Sequence, residues 1–352
     1  MARAPKPIEF EEDADLPVRG NPDLFGHLAA AAALEAAARS GRLPHAWLVC
    51  GPPGIGKATL GYRFGRWLLA NGADRPAEPG LAPLYLDPCD PVFRRVAAGS
   101  HADLRALRPE AEGGVKRVIR VDGARAAIRF LAMTPAEGAW RFVLVDQAET
   151  MRAEAANALL KTLEEPPPRA VLMLTTASPD RLLPTIRSRC RRLELEPLDR
   201  TDMAELLRRL RPELPQADRE RLAVMAEGSP GRALALSDGE GLAVQQLVDT
   251  VLAGLPLGDR GRWHAVADAV AAKRDGSTFT TFVALLRREI STAVRRAARG
   301  EAAPAWLALR PLAEWSTLWD SLGRLAAETD GLSLDRKQAV LTALGWLTPS
   351  RR

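Results

Sequence analysis

A glycine-rich segment at residues 51–59, GPPGIGKAT, has the composition of a phosphate-binding loop. Its glycines let backbone N–H groups turn inward around an anion, and its lysine would add a positive charge on the β- and γ-phosphates. An apolar run at residues 46–50 precedes the loop, and a helical pattern follows it. Strand, loop and helix in this order predict a nucleotide-binding P-loop formed by Gly51, Gly54, Ile55, Gly56, Lys57, Ala58 and Thr59.

A second apolar run, residues 142–145, ends in an acid, Asp146. The run predicts a buried parallel strand, and its C-terminal tip is where open α/β sheets bind their ligands. Asp146 is therefore placed to hold Mg²⁺ beside a nucleotide. We expect this pair of segments to form one site.

Two positions depart from the pattern of a hydrolytic site. Gln147 cannot take a proton, whereas a carboxylate at that position could polarise the attacking water. Ala58 stands where a Ser or Thr hydroxyl normally binds Mg²⁺, and Thr59 lies about 100° further around the helix. The two losses together predict a subunit that holds ATP weakly, holds Mg²⁺ only with the nucleotide, and hydrolyses ATP poorly.

The composition is that of a globular protein with two or three domains. The 352 residues are 47% hydrophobic and 26% charged, with a formal net charge of +5. The three cysteines, Cys50, Cys89 and Cys190, are too few and too scattered for a disulfide framework, which favours a reducing cytoplasm. No apolar run is long enough to form a membrane helix, so we expect a cytoplasmic protein with no membrane contact.

The elements that must position the site alternate between strand and helix. Strands are predicted at residues 46–50, 103–108, 115–121, 142–145, 171–174 and 193–195, and helices at 24–39 and 149–165, with Asp122 capping another. Residues 198–240 predict a small helical unit whose first helix is capped by Asp199 or Thr201. The remainder, to about residue 346, is almost entirely helical, with its aromatic residues mostly on apolar stripes.

Two motifs, NALLKTLEEPP at residues 157–167 and LLPTIRSRC at residues 182–190, resemble the AAA+ subunits of sliding-clamp loaders. The resemblance is specific over residues 27–190, and beyond them it extends only to size and helical character. It implies an α/β P-loop AAA+ domain, with a parallel sheet between helices, at residues 1–197. A small helical lid domain at 198–240 and an all-α collar domain at 241–352 would follow.

The resemblance also assigns roles to single residues. Arg189 would be an arginine finger that serves a neighbouring subunit's nucleotide, and Arg232 the sensor-2 residue. One of Thr175 and Thr176 would be the sensor-1 residue, and Thr176 is preferred. Thr176 could equally be a strand-end hydroxyl that caps a turn, and Arg232 an exposed arginine. The acids Glu164 and Glu165 are interpreted as a solvated helix end.

Family members act in a five-subunit ring with clamp-loader ATPase (gamma/tau) and delta subunits. The ring loads the sliding clamp on primed DNA as a component of the DNA-directed DNA polymerase assembly, so the resemblance implies these partners. Many members carry a four-cysteine zinc module near residues 71–100. This chain keeps only Cys89, with His101 further on, so we predict no zinc.

Two other hypotheses compete with that of a ring subunit. One is a self-sufficient AAA+ motor ATPase acting on DNA, which requires that Gln147 be tolerated and that Thr59 bind Mg²⁺. The other is a structural adaptor that binds no nucleotide, which the retained Lys57 and loop glycines disfavour.

Overall fold

A computed structural model describes residues 16–76, 80–112, 116–255, 260–273 and 276–348. The chain divides into two compact units. The sheet unit comprises Met1–Leu214 and Ala223–Arg232, and the helical unit comprises Pro215–Leu222 and Ala233–Arg352. Each is described by itself.

The sheet unit is built on five parallel strands in the order β2-β5-β6-β1-β7. A separate antiparallel pair, β3 and β4, follows β2. The three central strands are buried along their whole length, as parallel strands covered on both faces must be. The strands are β1 Ala46–Cys50, β2 Leu104–Leu107, β3 Glu110–Glu112, β4 Lys116–Val118, β5 Arg141–Val145, β6 Ala170–Thr176 and β7 Arg191–Glu194.

Helices pack on both faces of the sheet, which confirms the predicted α/β architecture. Helices up to α8 belong wholly to the sheet unit, whereas α9 and α10 each contain residues of both units. They are α1 Leu16–Arg19, α2 Leu28–Arg39, α3 Lys57–Leu69, α4 Pro91–Ala97, α5 Val121–Leu131, α6 Ala153–Glu164, α7 Pro184–Arg187, α8 Arg200–Leu210, α9 Gln216–Ala226 and α10 Pro230–Asp238.

Two glycines seat the P-loop helix α3 directly on the sheet. A Cβ on Gly61 would lie 2.7 Å from a methyl group of Leu144, and one on Gly65 would lie 2.8 Å from the Phe142 ring. Since the two glycines are one helical turn apart, they form a flat stripe that lets α3 approach β5 closely. This contact fixes the position of the loop that precedes the helix.

Several predicted boundaries were wrong for local reasons. Helix α5 begins at Val121 with Arg120 at its N-cap, so Asp122 lies in the first turn and does not cap the helix. The helix predicted from residue 149 starts only at Ala153, because a 3-10 turn, Ala148–Thr150, and the extended backbone of Met151 precede it. Of the two caps predicted for α8, Asp199 and Thr201, it is Asp199 that caps the helix, by accepting a hydrogen bond from the Asp202 N–H.

The helical unit is a bundle with an aromatic core. Phe279, Phe282 and Trp315 are fully buried, and the Trp306 and Trp315 rings meet edge to face at 5.0 Å. Trp346, by contrast, is 37% exposed and lies outside this core. The helices are α11 Gly241–Gly254, α12 Arg260–Ala271, α13 Ser277–Ala298, α14 Leu312–Gly331 and α15 Arg336–Leu347. No described helix is long and apolar enough to cross a membrane.

The Gly65→Ala substitution should destabilise the sheet unit. A methyl group 2.8 Å from the rigid Phe142 ring forces α3 away from β5, which we expect to lower the free energy of unfolding by about 1–3 kcal/mol. Calorimetric melting of the full chain measures the effect. Gly345→Ala is the control, because a Cβ there meets no atom within 4 Å in its helix; equal loss in both variants would contradict the close-approach argument.

Candidate nucleotide-binding site

Parallel register brings the predicted site residues to one edge of the sheet. Strand β1 lies beside β6, with Cys50 opposite Thr176, and β6 lies beside β5, with Leu174 opposite Val145. The P-loop leaves the end of β1, and Asp146 immediately follows β5. Three strand tips therefore converge at the C-terminal edge, where this fold class binds ligands.

The P-loop has the backbone geometry that its glycines permit. Gly54 and Gly56 have φ angles of +75° and +103°, a region that other residues adopt only with strain. The Lys57 ammonium donates hydrogen bonds of 2.8 Å to the carbonyl oxygens of both Gly51 and Pro52. The lysine thus lies across the mouth of its own loop, where a phosphate would compete with these carbonyls for the charge.

Lys57 lies in an acidic environment. It is 9% exposed, and burial lowers the pKa of its ammonium, while the nearby carboxylates of Glu149 and Asp146 act in the opposite direction. Glu149 also accepts a hydrogen bond of 3.0 Å from the Ala177 N–H. Glu149 carries no sequence signal of this role, because only the fold brings the turn after β5 against the P-loop.

Thr175 is bonded to the acid at the tip of β5. Its hydroxyl donates to Asp146 Oδ1 at 2.5 Å and accepts the Gln147 N–H at 3.0 Å. The hydroxyl of the predicted sensor residue, Thr176, instead accepts the Ser178 N–H at 3.1 Å. Both threonines are fully buried, and strand register is the signal that could have favoured Thr175 over Thr176, since it pairs the position after Val145 with the position after Leu174.

Ala58 and Gln147 are the two positions expected to weaken hydrolysis, and they lie in the P-loop helix and at the tip of β5, respectively. Ala58 is in the first turn of α3 and packs against the core, while the neighbouring Thr59 is half-buried. Gln147 is exposed at the strand tip with a left-handed backbone, φ +54°. The loop and Lys57 fit a phosphate group; for Mg²⁺ the site offers Asp146 without the usual helix hydroxyl.

The first turn of α10 touches the tip of the P-loop. The Gly231 N–H donates to the Gly54 carbonyl at 2.8 Å, and the Ser229 hydroxyl donates to the Pro53 carbonyl at 3.1 Å. A Cβ on Gly231 would lie 3.0 Å from Gly54 Cα, so glycine is needed at both positions for this approach. Arg232 follows directly, half-exposed, with Nη1 3.5 Å from Glu227.

The His27 side chain also contacts the P-loop. Its Nε2 lies 2.8 Å from the carbonyl oxygen of Ile55, and since a carbonyl only accepts, Nε2 carries the proton. Ile55 is itself buried in the core. The residue before α2 therefore holds the P-loop through a side chain that carries no sequence signal of this contact.

Arg189 lies away from this edge. It occupies the turn between α7 and β7, where its backbone N–H donates to the Ile186 carbonyl. Its side chain is 36% exposed and pairs with Glu164 at 2.7 Å. The structure therefore separates Arg189 from the other predicted site residues.

The zinc prediction concerns Cys89 and His101. Cys89 is exposed, whereas His101 is buried and its Nδ1 accepts the Asp103 N–H at 3.1 Å. Within the ranges that the structure describes, no group of three or more His, Cys, Asp or Glu side chains could hold a metal ion.

Thr175→Val should destabilise the sheet unit more than Thr176→Val. The first substitution removes the partner of both the half-buried Asp146 and the Gln147 N–H, and each lost hydrogen bond costs about 0.5–1.5 kcal/mol in unfolding free energy. The second leaves only the Ser178 N–H without its acceptor. Denaturant unfolding of the two variants measures the difference, and the reverse ranking would show that Thr175 does not anchor Asp146.

Comparison with known proteins places this chain in a family. The family model described as DNA polymerase III, delta subunit, matches residues 26–199. The chain is 36% identical over 231 residues to the DNA polymerase III subunit delta' of Pseudomonas aeruginosa, covering 63% of this chain and 66% of the relative. It is 34% identical over 240 residues to the subunit delta' of Escherichia coli, covering 67% of each.

A third relative is the DNA polymerase III subunit tau of Escherichia coli, 32% identical over 242 residues, which cover 66% of this chain and 36% of tau. The matches thus span about two thirds of the two delta' relatives and about a third of tau. On these matches, the chain belongs to the DNA polymerase III delta-prime family of clamp-loader subunits.

Proposed function

We propose that this clamp-loader subunit supplies Arg189 in trans to the nucleotide of a neighbouring ATPase subunit and is itself weak or inactive in ATP hydrolysis. The observation that carries the proposal is the position of Arg189 at the sheet edge opposite its own P-loop. An arginine in that position can assist phosphoryl transfer only in another chain.

Strand polarity gives the separation. Strands β1 and β7 are parallel, with Trp47 opposite Arg191, and Arg189 comes two residues before that level. The P-loop begins at Gly51, four residues beyond Trp47, which corresponds to roughly 13 Å of extended strand. This distance is longer than an arginine side chain, so Arg189 cannot reach a phosphate bound at Lys57.

The surroundings of Arg189 suit a group that acts on a partner. Its Nη1 donates to the Thr185 carbonyl at 3.0 Å, and the side chain remains partly in solvent. A guanidinium is always charged and matches the planar oxygens of a transferred phosphoryl group. Such fingers contribute about 10³–10⁵ in rate by neutralising charge in the transition state.

The subunit's own pocket supports weak nucleotide binding rather than turnover. We propose that ATP is held by the P-loop residues, with Asp146, Thr176 and Arg232 at its border, and that Mg²⁺ enters only with the nucleotide. Without a hydroxyl at Ala58 the metal has lost one ligand, and without a carboxylate at Gln147 no side chain there polarises the attacking water. Zinc has no part in the proposal.

The remaining elements of the proposal come from the family. The subunit acts in the cytoplasm, in a five-membered ring with gamma/tau and delta subunits, and helps load the sliding clamp on primed DNA. In this division of the chain, residues 1–197 form the AAA+ domain, 198–240 the lid and 241–352 the collar through which the ring assembles.

Arg189→Ala should slow ATP hydrolysis at the neighbouring subunit without preventing assembly. Loss of the guanidinium removes the charge that stabilises the transition state, so we expect turnover at that one site to fall by about 10³ or more. Rapid-mixing measurement of phosphate release, in a complex reconstituted with gamma/tau, delta, clamp and primed DNA, resolves the lost phase. Gel filtration checks that the ring still assembles.

Arg192→Ala is the matched control for Arg189→Ala. Arg192 is a nearby exposed arginine that pairs with Glu194 on its own strand, so its removal should leave every phase of phosphate release unchanged. Undiminished phosphate release in the Arg189→Ala complex would show that Arg189 does not act as an arginine finger.

The isolated chain should bind a fluorescent ATP analogue weakly and turn ATP over far more slowly than the roughly 1 s⁻¹ of an ordinary enzyme. Lys57→Ala should abolish the binding, because the lysine supplies the charge at the loop mouth. Turnover at or above that rate would favour the self-sufficient motor ATPase. An unaltered fluorescence signal on mixing wild-type chain and analogue would favour the adaptor that binds no nucleotide.

A further inference from the structure

The last turn of α6 carries an acid whose position is not explained by helix stability. Glu164 lies at the C-terminal end of the helix, where the backbone dipole favours cations and disfavours carboxylates. Its Oε1 lies 2.7 Å from Arg189 Nη2. The Glu164 side chain is half-exposed, so its carboxylate does not need an ion pair to offset the cost of burial.

The backbone on both sides of this ion pair is fixed by the core. Leu163, immediately before the acid, is buried, and its carbonyl lies 3.0 Å from Nε2 of His45, the residue before β1. Ile186, three residues before Arg189, is buried in the same apolar cluster as Leu163. The separation of the Cα atoms of Glu164 and Arg189 is therefore set by the fold and not by two mobile loops.

The guanidinium is held at two points. Glu164 accepts from Nη2, and the Thr185 carbonyl accepts from Nη1 at 3.0 Å, with Ser188 Oγ a further 3.5 Å contact of Nη1. A free arginine side chain samples many rotamers, and part of this entropy must be lost when it docks on a phosphate. Restricting the side chain before docking reduces that loss at the moment of reaction.

We propose that Glu164 is a positioning residue that pre-orients the Arg189 guanidinium for the nucleotide of the neighbouring subunit. The inference rests on the proposed trans role of Arg189. The carboxylate acts through the arginine and touches neither nucleotide nor metal. Its neighbour in sequence, Glu165, is an exposed acid for which the described residues provide no ion pair.

The experiment uses the reconstituted complex and the phase of phosphate release that Arg189→Ala removes. In Glu164→Ala that phase should slow roughly two- to fivefold, the range expected for an exposed ion pair. The ATP concentration at half-maximal rate should stay unchanged, because orientation affects transfer and not nucleotide binding. Glu164→Gln keeps an acceptor for Nη2 and should recover part of the rate.

Two controls separate positioning from a general effect of charge or folding. Glu165→Ala removes the same charge one residue away and should leave the phase unchanged. In the Arg189→Ala background, Glu164→Ala should produce no further loss, since the acid has nothing left to orient. The phases contributed by the other subunits should not change in any of these variants.

Each other outcome overturns the inference in a distinct way. An unchanged Glu164→Ala rate shows that the pair does not orient the finger, and a faster rate shows that the acid restrains it. Equal slowing by Glu165→Ala shows a non-specific charge effect. If Arg189→Ala itself leaves phosphate release intact, the proposal that Arg189 is an arginine finger is wrong. If Arg189→Ala slows phosphate release but the Glu164 variants do not, Arg189 is a finger and Glu164 does not position it.

Discussion

The parallel direction of β1, β5, β6 and β7 is the constraint on which this molecule depends. Because all strands run the same way, the residues that follow them meet at one edge, and the residues that precede them meet at the other. The P-loop, Asp146 and Thr175 follow their strands, whereas Arg189 precedes β7. One chain therefore places its P-loop at one edge of the sheet and Arg189 at the opposite edge.

The edge that carries the P-loop is held together by internal hydrogen bonds. Lys57 bonds to two loop carbonyls, Thr175 bonds to Asp146, and the first turn of α10 bonds to the loop through Gly231. Lys57 and Thr175 are buried, so these contacts give their polar groups the partners whose absence is costly in a low-dielectric interior. A nucleotide would have to replace the Lys57 contacts with better ones, which supports weak binding.

The opposite edge has a different physical character. Arg189 and Glu164 are partly solvated, and their interaction is weak in free energy, but the core residues Leu163 and Ile186 determine where each is attached. The backbone of Arg189 is fixed, while its guanidinium is only weakly bound to Glu164. This combination suits a side chain that must keep its position and still leave Glu164 for a new partner on assembly. Under the proposed function, loss of catalytic groups in the pocket and retention of the arginine are consistent with each other, since each concerns a different edge.

The sequence by itself determined the features that are encoded locally. Glycine spacing and the following helix predict the P-loop, apolar runs predict the central strands at residues 46–50 and 142–145, and Asp199 predicts its own cap, because each depends on neighbours within a few residues. Boundaries failed where a short local feature intervened, as at the 3-10 turn before α6.

Only the tertiary structure decided which distant side chains meet. The bond between Thr175 and Asp146 depends on strand register, and the contact of Ser229 with Pro53 joins residues 176 positions apart. The pairing of Glu164 with Arg189 depends on how α6 and α7 pack on one core. None of these leaves a periodic signal, since the free energy of each contact arises from packing between segments and not from the residues of either segment alone.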